Sequence, residues 1–151
     1  MSAPLSLSSL EDTAHLAARL APLLKAGDVI ALEGDLGAGK TTFCRALISA
    51  LLGEEAEVPS PTYTLVQTYE GPNFPIYHFD LYRLEAPAEL DELGWEETVD
   101  GLALIEWPNK ARRRLPAWRL EISLKISGTD RIAHLVPHGE DWQTRMDEFR
   151  S

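Results

Sequence analysis

Apolar residues recur along this chain with two different periods. Leu16, Leu20, Leu23 and Leu24 fall three and four residues apart, the spacing of one helical face, and Ser9 three residues before Asp12 supplies a cap. A helix is therefore predicted there, ending at Gly27. The run "DVIALE" (28–33) reads as a short apolar strand, and "TTFCRALISALLG" returns to helical spacing with Gly53 as its stop. "YTLVQTY" and "PIYHFDLYRL" read as strands joined through the turn signal "EGPN" into a hairpin. Pro87 opens a helical turn in "PAELDELG", which Gly94 closes, and "LALIEW" follows as a buried strand. In "WRLEISLKI" the alternation is unbroken, with Trp118, Leu120, Ile122, Leu124 and Ile126 on one face, and "SGTD" turns it into "RIAHLV" as a second hairpin. The terminal "EDWQTRMDEFR" reads either as a short helix or as a fraying end.

Strands alternating with helices early, and hairpins later, predict an α/β sandwich whose sheet mixes parallel and antiparallel strands. A length of 151 residues fits one domain, 1–151, and no internal repeat divides it. No apolar run approaches the ~18–20 residues that cross a bilayer, so no membrane contact is expected. The opening "MSAPLSLSSLEDTAHL" lacks a basic segment followed by a continuous apolar core, so no secretory signal is expected and the location is read as cytoplasmic. Cys44 is the only cysteine, which excludes an intrachain disulfide and argues against a structural zinc site. The net charge of −10 argues against broad adhesion to nucleic acid, since phosphate backbones are held by basic surfaces. The one basic cluster, Lys110 to Arg114, reads as a solvated face or as a contact for a partner or RNA.

One stretch carries chemistry. In "GDLGAGKTTF" (34–43), Gly34, four residues, then Gly39, Lys40 and Thr41 match G-x-x-x-x-G-K-[ST], between a predicted strand and a predicted helix. Such a loop turns successive backbone N–H groups toward phosphate oxygens, the helix adds the positive end of its dipole, and Lys40 supplies a mobile charge. Thr41 offers its hydroxyl to Mg²⁺. The fold class then becomes a P-loop NTPase-like three-layer sandwich.

Phosphate chemistry on such a loop needs a carboxylate for the metal, usually at the end of a neighbouring apolar strand. Glu106 ends "LALIE" and Asp80 ends "IYHFD". Glu106 follows the cleaner apolar run and is assigned to the metal, directly or through water. Asp80 then becomes a second metal-shell residue or the group that orients the attacking water. The opposite assignment, or a shared task, stays open. In "SPTYTL", Ser60 and Thr62 offer hydroxyls on a backbone stiffened by Pro59 and Pro61, where P-loop proteins often sense the terminal phosphate. Trp107, directly after Glu106, is either core or a wall of the site. His15, His78, His134 and His138 have no metal-ligand spacing. "NKAR" (109–112) begins like the guanine-reading N-K-x-D but has Arg112 in place of the aspartate, which favours ATP over GTP.

Four motifs in order, "GDLGAGKTTF", "SPTYTLV", "HFDLYRL" followed by "ELDELG", and "IEWP", together resemble the TsaE (YjeE) family, small P-loop ATPases of bacterial tRNA threonylcarbamoyladenosine synthesis. The resemblance spans about Leu32 to Pro108. It implies weak intrinsic ATP hydrolysis with Mg²⁺, in the service of a TsaB–TsaD heterodimer that transfers a threonylcarbamoyl group to the adenosine beside the anticodon. On that likeness, ATP use resets the complex between turnovers, and tRNA is met indirectly, through the partners. Carried over by residue, the phosphate grip falls on Asp35, Leu36, Gly37, Ala38, Gly39, Lys40, Thr41 and Thr42. The metal ligands fall on Thr41 and Glu106, and the essential strand-end acid on Asp80. Ser60, Thr62 and Trp107 fall on further site motifs, and Arg131 corresponds to a residue near the nucleotide. The rival readings are a small-molecule kinase, with "ARRR" (111–114) as an arginine-bearing lid, and a module that holds nucleotide without cleaving it.

Overall fold

The computed structural model describes residues 4–35, 37–53 and 65–150, with Arg112 described in its backbone alone. In chain order the elements are β1 (Leu5–Leu7), α1 (Leu10–Leu20), β2 (Val29–Glu33), α2 (Lys40–Leu52), β3 (Val66–Glu70), β4 (Pro75–Asp80), α3 (Glu89–Glu92), β5 (Leu102–Glu106), β6 (Arg119–Ser127), β7 (Asp130–His138) and α4 (Glu140–Arg150). Short 3₁₀ turns follow α1 (Ala21–Leu23), precede β5 (Trp95–Asp100) and follow it (Pro108–Lys110 and Arg112–Arg114).

The strands form one seven-stranded sheet in the order β1-β7-β6-β2-β5-β4-β3. Its centre, β6-β2-β5-β4, is parallel, and β1, β7 and β3 are added antiparallel at the edges. The mixed α/β sheet expected from the sequence is therefore present. Alternation along the central strands divides the core. Ile30 and Leu32 of β2, Leu102 and Leu104 of β5, and Leu120, Ile122 and Leu124 of β6 pack with the buried faces of α1, α2 and α4. On the other face Val29, Phe79, Ala103 and Ile105 meet Leu90 of α3, and Trp95 stands edge-on to Phe79 at 5.3 Å. That third layer is thin, built from one four-residue helix and 3₁₀ turns. Among the described residues no helix is long and apolar enough to cross a membrane.

Several elements end where local chemistry requires it. Ser9 caps α1 by accepting from Asp12 N at 3.2 Å, as its position suggested. The helix stops at Leu20 instead of Gly27, because Pro22 has no N–H and its ring would collide with a carbonyl one turn back; a 3₁₀ turn follows. Strand β4 ends at Asp80, short of Leu84, since the Asp80 carboxylate accepts from Tyr82 N at 3.1 Å and bends the chain. In β6 the predicted inner face holds only over Leu120, Ile122 and Leu124. Trp118 lies before the strand and is 77% exposed, and Ile126, at the hairpin tip opposite Arg131, is 52% exposed. The three-residue β1 was not expected; it pairs with Arg131–Ala133 and buries Leu7. The terminal segment is a helix, α4, with Trp142, Arg145, Met146 and Phe149 on its buried side.

A buried ion pair fixes α4. Arg145 donates to both Asp28 oxygens, at 2.6 and 2.9 Å, and to Leu23 O at 3.0 Å, while its guanidinium lies 3.7 Å from the Trp142 ring centre. Removing one member of a buried pair leaves an uncompensated charge and costs ~3–5 kcal/mol, whereas exposed pairs count for little. Asp28→Ala leaves Arg145 only its more exposed partner Asp141, and is therefore expected to lower unfolding free energy in urea toward the lower end of that range, about 3 kcal/mol. Asp91→Ala, which breaks the solvent-facing pair with Arg114, should barely move it.

Candidate functional site

The site lies outside the carboxyl ends of the central parallel strands, where open α/β sheets place their ligands. Strand β2 pairs with β5 so that Leu32 stands opposite Glu106, and β5 pairs with β4 so that Glu106 stands opposite Asp80. Partners in register point to the same face. Both acids therefore reach the side covered by α2, at the level where β2 gives way to the glycine loop.

The loop returns the chain sharply into α2. Gly34 has φ 152 and an added Cβ would lie 2.5 Å from Leu124 O, so the loop can cross the sheet edge only without a side chain. At Gly37 and Gly39, both left-handed, an added Cβ would meet no protein atom within 4 Å. That side of the loop is open to a cavity of about 220 Å³ lined by Gly37, Lys40, Thr41, Asp80, Glu106 and Trp107. Thr41, in the first turn of α2, donates its hydroxyl to Glu106 Oε1 at 2.8 Å.

Lys40 is turned back on the loop. Its ammonium bonds Gly34 O at 2.5 Å and Asp35 O at 3.0 Å and lies 4.1 Å from the Trp107 ring centre. Burial lowers its pKa below the ordinary lysine value, against the opposing pull of Glu106, Asp80 and Asp35. Trp107 itself adopts a left-handed backbone, φ 59, and its ring packs on Tyr82 at 4.9 Å. A bulky residue is held in such a conformation only where its surroundings require it.

The structure thus brings Gly37, Gly39, Lys40, Thr41, Thr42, Asp80, Glu106 and Trp107 around one cavity. Asp35 contributes its carbonyl oxygen, which also accepts from Ala38 N at 3.0 Å, and Ala38 is buried beneath the loop. Arg131 reaches the same loop from β7, donating to Gly37 O at 3.2 Å. It lines a second cavity of about 240 Å³, on the far side of the loop, with Leu7, Ser8, Thr13 and Thr42. Leu36, Ser60 and Thr62, with Pro59 and Pro61, lie outside the described residues. The basic cluster is folded into 3₁₀ turns, and Arg114 is clamped on the Asp91 carboxylate at 2.6 and 3.1 Å.

Sequence reasoning passed over His78. It is fully buried in β4, and its Nε2 lies 2.6 Å from Glu106 Oε2. The signal was available in the alternation of "HFD", since a residue two before Asp80 on a strand shares its face. Search for metal-ligand spacing alone could not find it.

The donor set fits a hard cation and a polyphosphate. Thr41 and the two carboxylates supply oxygen, the donor that Mg²⁺ takes, and the loop presents backbone amides and a lysine. Cys44 Sγ also lies close to His78 and Glu106, all three buried. Zinc would hold N and O ligands at ~2.0–2.2 Å on separate tetrahedral corners, so a 2.6 Å contact between His78 and Glu106 leaves no room for it between them. Burial, then Glu106 and Asp80, push the Cys44 thiol well above its ordinary pKa.

A family model described as threonylcarbamoyl adenosine biosynthesis protein TsaE matches residues 7–133. The tRNA threonylcarbamoyladenosine biosynthesis protein TsaE of Rickettsia conorii is 44% identical over 138 residues, 90% of this chain and 79% of its own. The protein of that name from Bacillus subtilis is 42% identical over 122 residues, 80% of this chain and 75% of its own. The crystal structure of Bacillus subtilis YdiB superposes with a TM-score of 0.81 at 32% identity, covering 99% of this chain and 96% of that one.

The elevated thiol pKa of Cys44 and its complete burial have a direct test, because the thiolate is the reactive form. At pH 8 iodoacetamide should leave the native protein unmodified while alkylating one site per chain in urea, as read by intact mass.

Proposed function

This chain belongs to the TsaE family and takes part in tRNA threonylcarbamoyladenosine biosynthesis, and from that premise we propose that it works there as a Mg²⁺-dependent ATPase accessory to the TsaB–TsaD heterodimer. The observation that carries the ATPase reading is the convergence of Thr41, Glu106 and Asp80 on the cavity opened by the glycine loop. In this reading the loop amides from Gly37 to Thr42 hold the phosphates. Lys40 exchanges the carbonyls of Gly34 and Asp35 for terminal phosphate oxygens, which offset its desolvation better. Thr41 and Glu106 hold the metal. Held there, Mg²⁺ would supply positive charge to offset the negative charge of the phosphates. Asp80, beside Glu106 in strand register, orients a water whose oxygen forms the new bond to the terminal phosphorus as the bond to ADP breaks. Trp107 walls the cavity, with Tyr82 packed on its ring. The nucleoside end occupies the cavity beside Arg131, Ser8 and Thr13.

An accessory ATPase suits the rest of the molecule. The kinase reading needs an arginine-bearing lid, whereas Arg112–Arg114 form a short 3₁₀ turn in which Arg114 pairs with Asp91. The overall negative charge favours protein partners over direct, nonspecific contact with tRNA. Hydrolysis resets the TsaB–TsaD complex between turnovers, and tRNA is reached through it.

Calorimetry with ATP and a phosphate-release assay separate the roles. Lys40→Ala should lose most nucleotide affinity, and Glu106→Ala chiefly Mg²⁺-dependent turnover. Asp80→Ala should keep binding and lose hydrolysis. Equal turnover in wild type and all three variants would refute the ATPase reading. Capture of TsaB and TsaD should change with ATP, and capture indifferent to nucleotide would refute the accessory role.

A further inference from the structure

His78 occupies a place where an apolar side chain would pack at lower cost. On β4 it stands between Ile76 and Asp80 on the helix-facing side, opposite Leu104 of β5, within the dry layer beneath α2. Its Nδ1 is buried and, among the described residues, has no hydrogen-bond partner. An unpaired polar atom in such a place is a net penalty to folding. The other ring nitrogen makes the one contact that offsets it, 2.6 Å to Glu106 Oε2. With Glu106 as a carboxylate, which only accepts, this contact requires Nε2–H as the donor.

Glu106 is thereby held at both oxygens. Thr41 donates to Oε1 from α2 and His78 donates to Oε2 from β4. Two donors from separate elements fix the carboxylate plane. With Thr41 alone, the group could rotate about its last side-chain bond, because terminal carboxylate torsions are broad. Partners of metal-binding side chains typically carry 10–100-fold of metal affinity through orientation.

We propose that His78 is a positioning residue for the metal site, its Nε2–H orienting the Glu106 carboxylate so that Oε1 is presented beside Thr41. The inference rests on the ATPase reading for its metal. The hydrogen bond itself does not.

The test uses His78→Gln, whose amide reaches the place of Nε2, His78→Asn, whose amide stops short at the place of Nδ1, and His78→Leu. Mn²⁺ affinity of the protein–ADP complex is read by electron paramagnetic resonance of free Mn²⁺, and ADP affinity is read separately in EDTA. Asn and Leu should weaken Mn²⁺ binding about tenfold or more, and Gln should restore it to within about threefold of wild type. Metal-free ADP binding should be unchanged in all three. Equal weakening in Gln and Asn, no weakening in either Asn or Leu, or a matching fall in metal-free ADP affinity would overturn the proposal. Should the Leu variant not fold, the Gln and Asn pair decides. In metal-free wild type, ¹⁵N NMR should show His78 protonated at Nε2, and a proton at Nδ1 with Nε2 bare would refute the inference whatever the metal result. A wild type that takes up no Mn²⁺ beyond free ADP, yet shows the Nε2 proton, would refute the ATPase reading and with it the metal-positioning role, leaving only the hydrogen bond.

Discussion

The parallel pairing of β2, β5 and β4 is the constraint from which the site follows. It sets Leu32, Glu106 and Asp80 at one level across three strands, just before the glycine loop leaves β2. Side chains alternate along a strand, so a slip of one residue in either pairing would turn an acid to the opposite face of the sheet. The apolar residues on both sides oppose such slips, because Leu102, Leu104, Ile30 and Ile76 would leave the helix-facing core at the same time. Burial of ordinary leucines and isoleucines thus sets the position of two carboxylates to the precision of a sheet ladder.

Those carboxylates stand in surroundings that would otherwise reject charge. Glu106 is 2% exposed and lies under α2, whose Phe43, Cys44, Leu47 and Ile48 are buried. It is kept there by hydrogen bonds from Thr41 and His78 and by the neighbouring Lys40 ammonium. The three come from two stretches of chain, Lys40 and Thr41 adjacent in the first turn of α2 and His78 in β4. The glycine loop and the acid at the end of β5 are therefore parts of one electrostatic unit.

Much of this was legible in the residues. The glycine spacing, the strand before it and the helix after it identified the loop, and apolar runs ending in Asp80 and Glu106 pointed to the acids. What the sequence left open was which strands lie side by side, because pairing of β2 with both β5 and β6 joins residues far apart in the chain. For the same reason β1 escaped notice, since three residues carry too little periodicity and its partner β7 lies more than a hundred positions away. Trp118 and Ile126 followed the alternation of β6 yet stand exposed, for alternation reports a face and not whether anything covers its ends. His78 was hidden by its own class, a histidine without metal-ligand spacing, and only the shared face with Asp80 gives it a partner.

Lys40 has one more consequence. Its ammonium already rests on two carbonyls of its own loop and on the Trp107 ring. Any anion entering must compete with those internal contacts, which subtracts from the affinity a bare lysine would have delivered. When the anion departs, the same contacts receive the lysine again, and the loop is spared an unpaired charge in a half-dry cleft. A grip built in this manner gives up tightness in exchange for easy release.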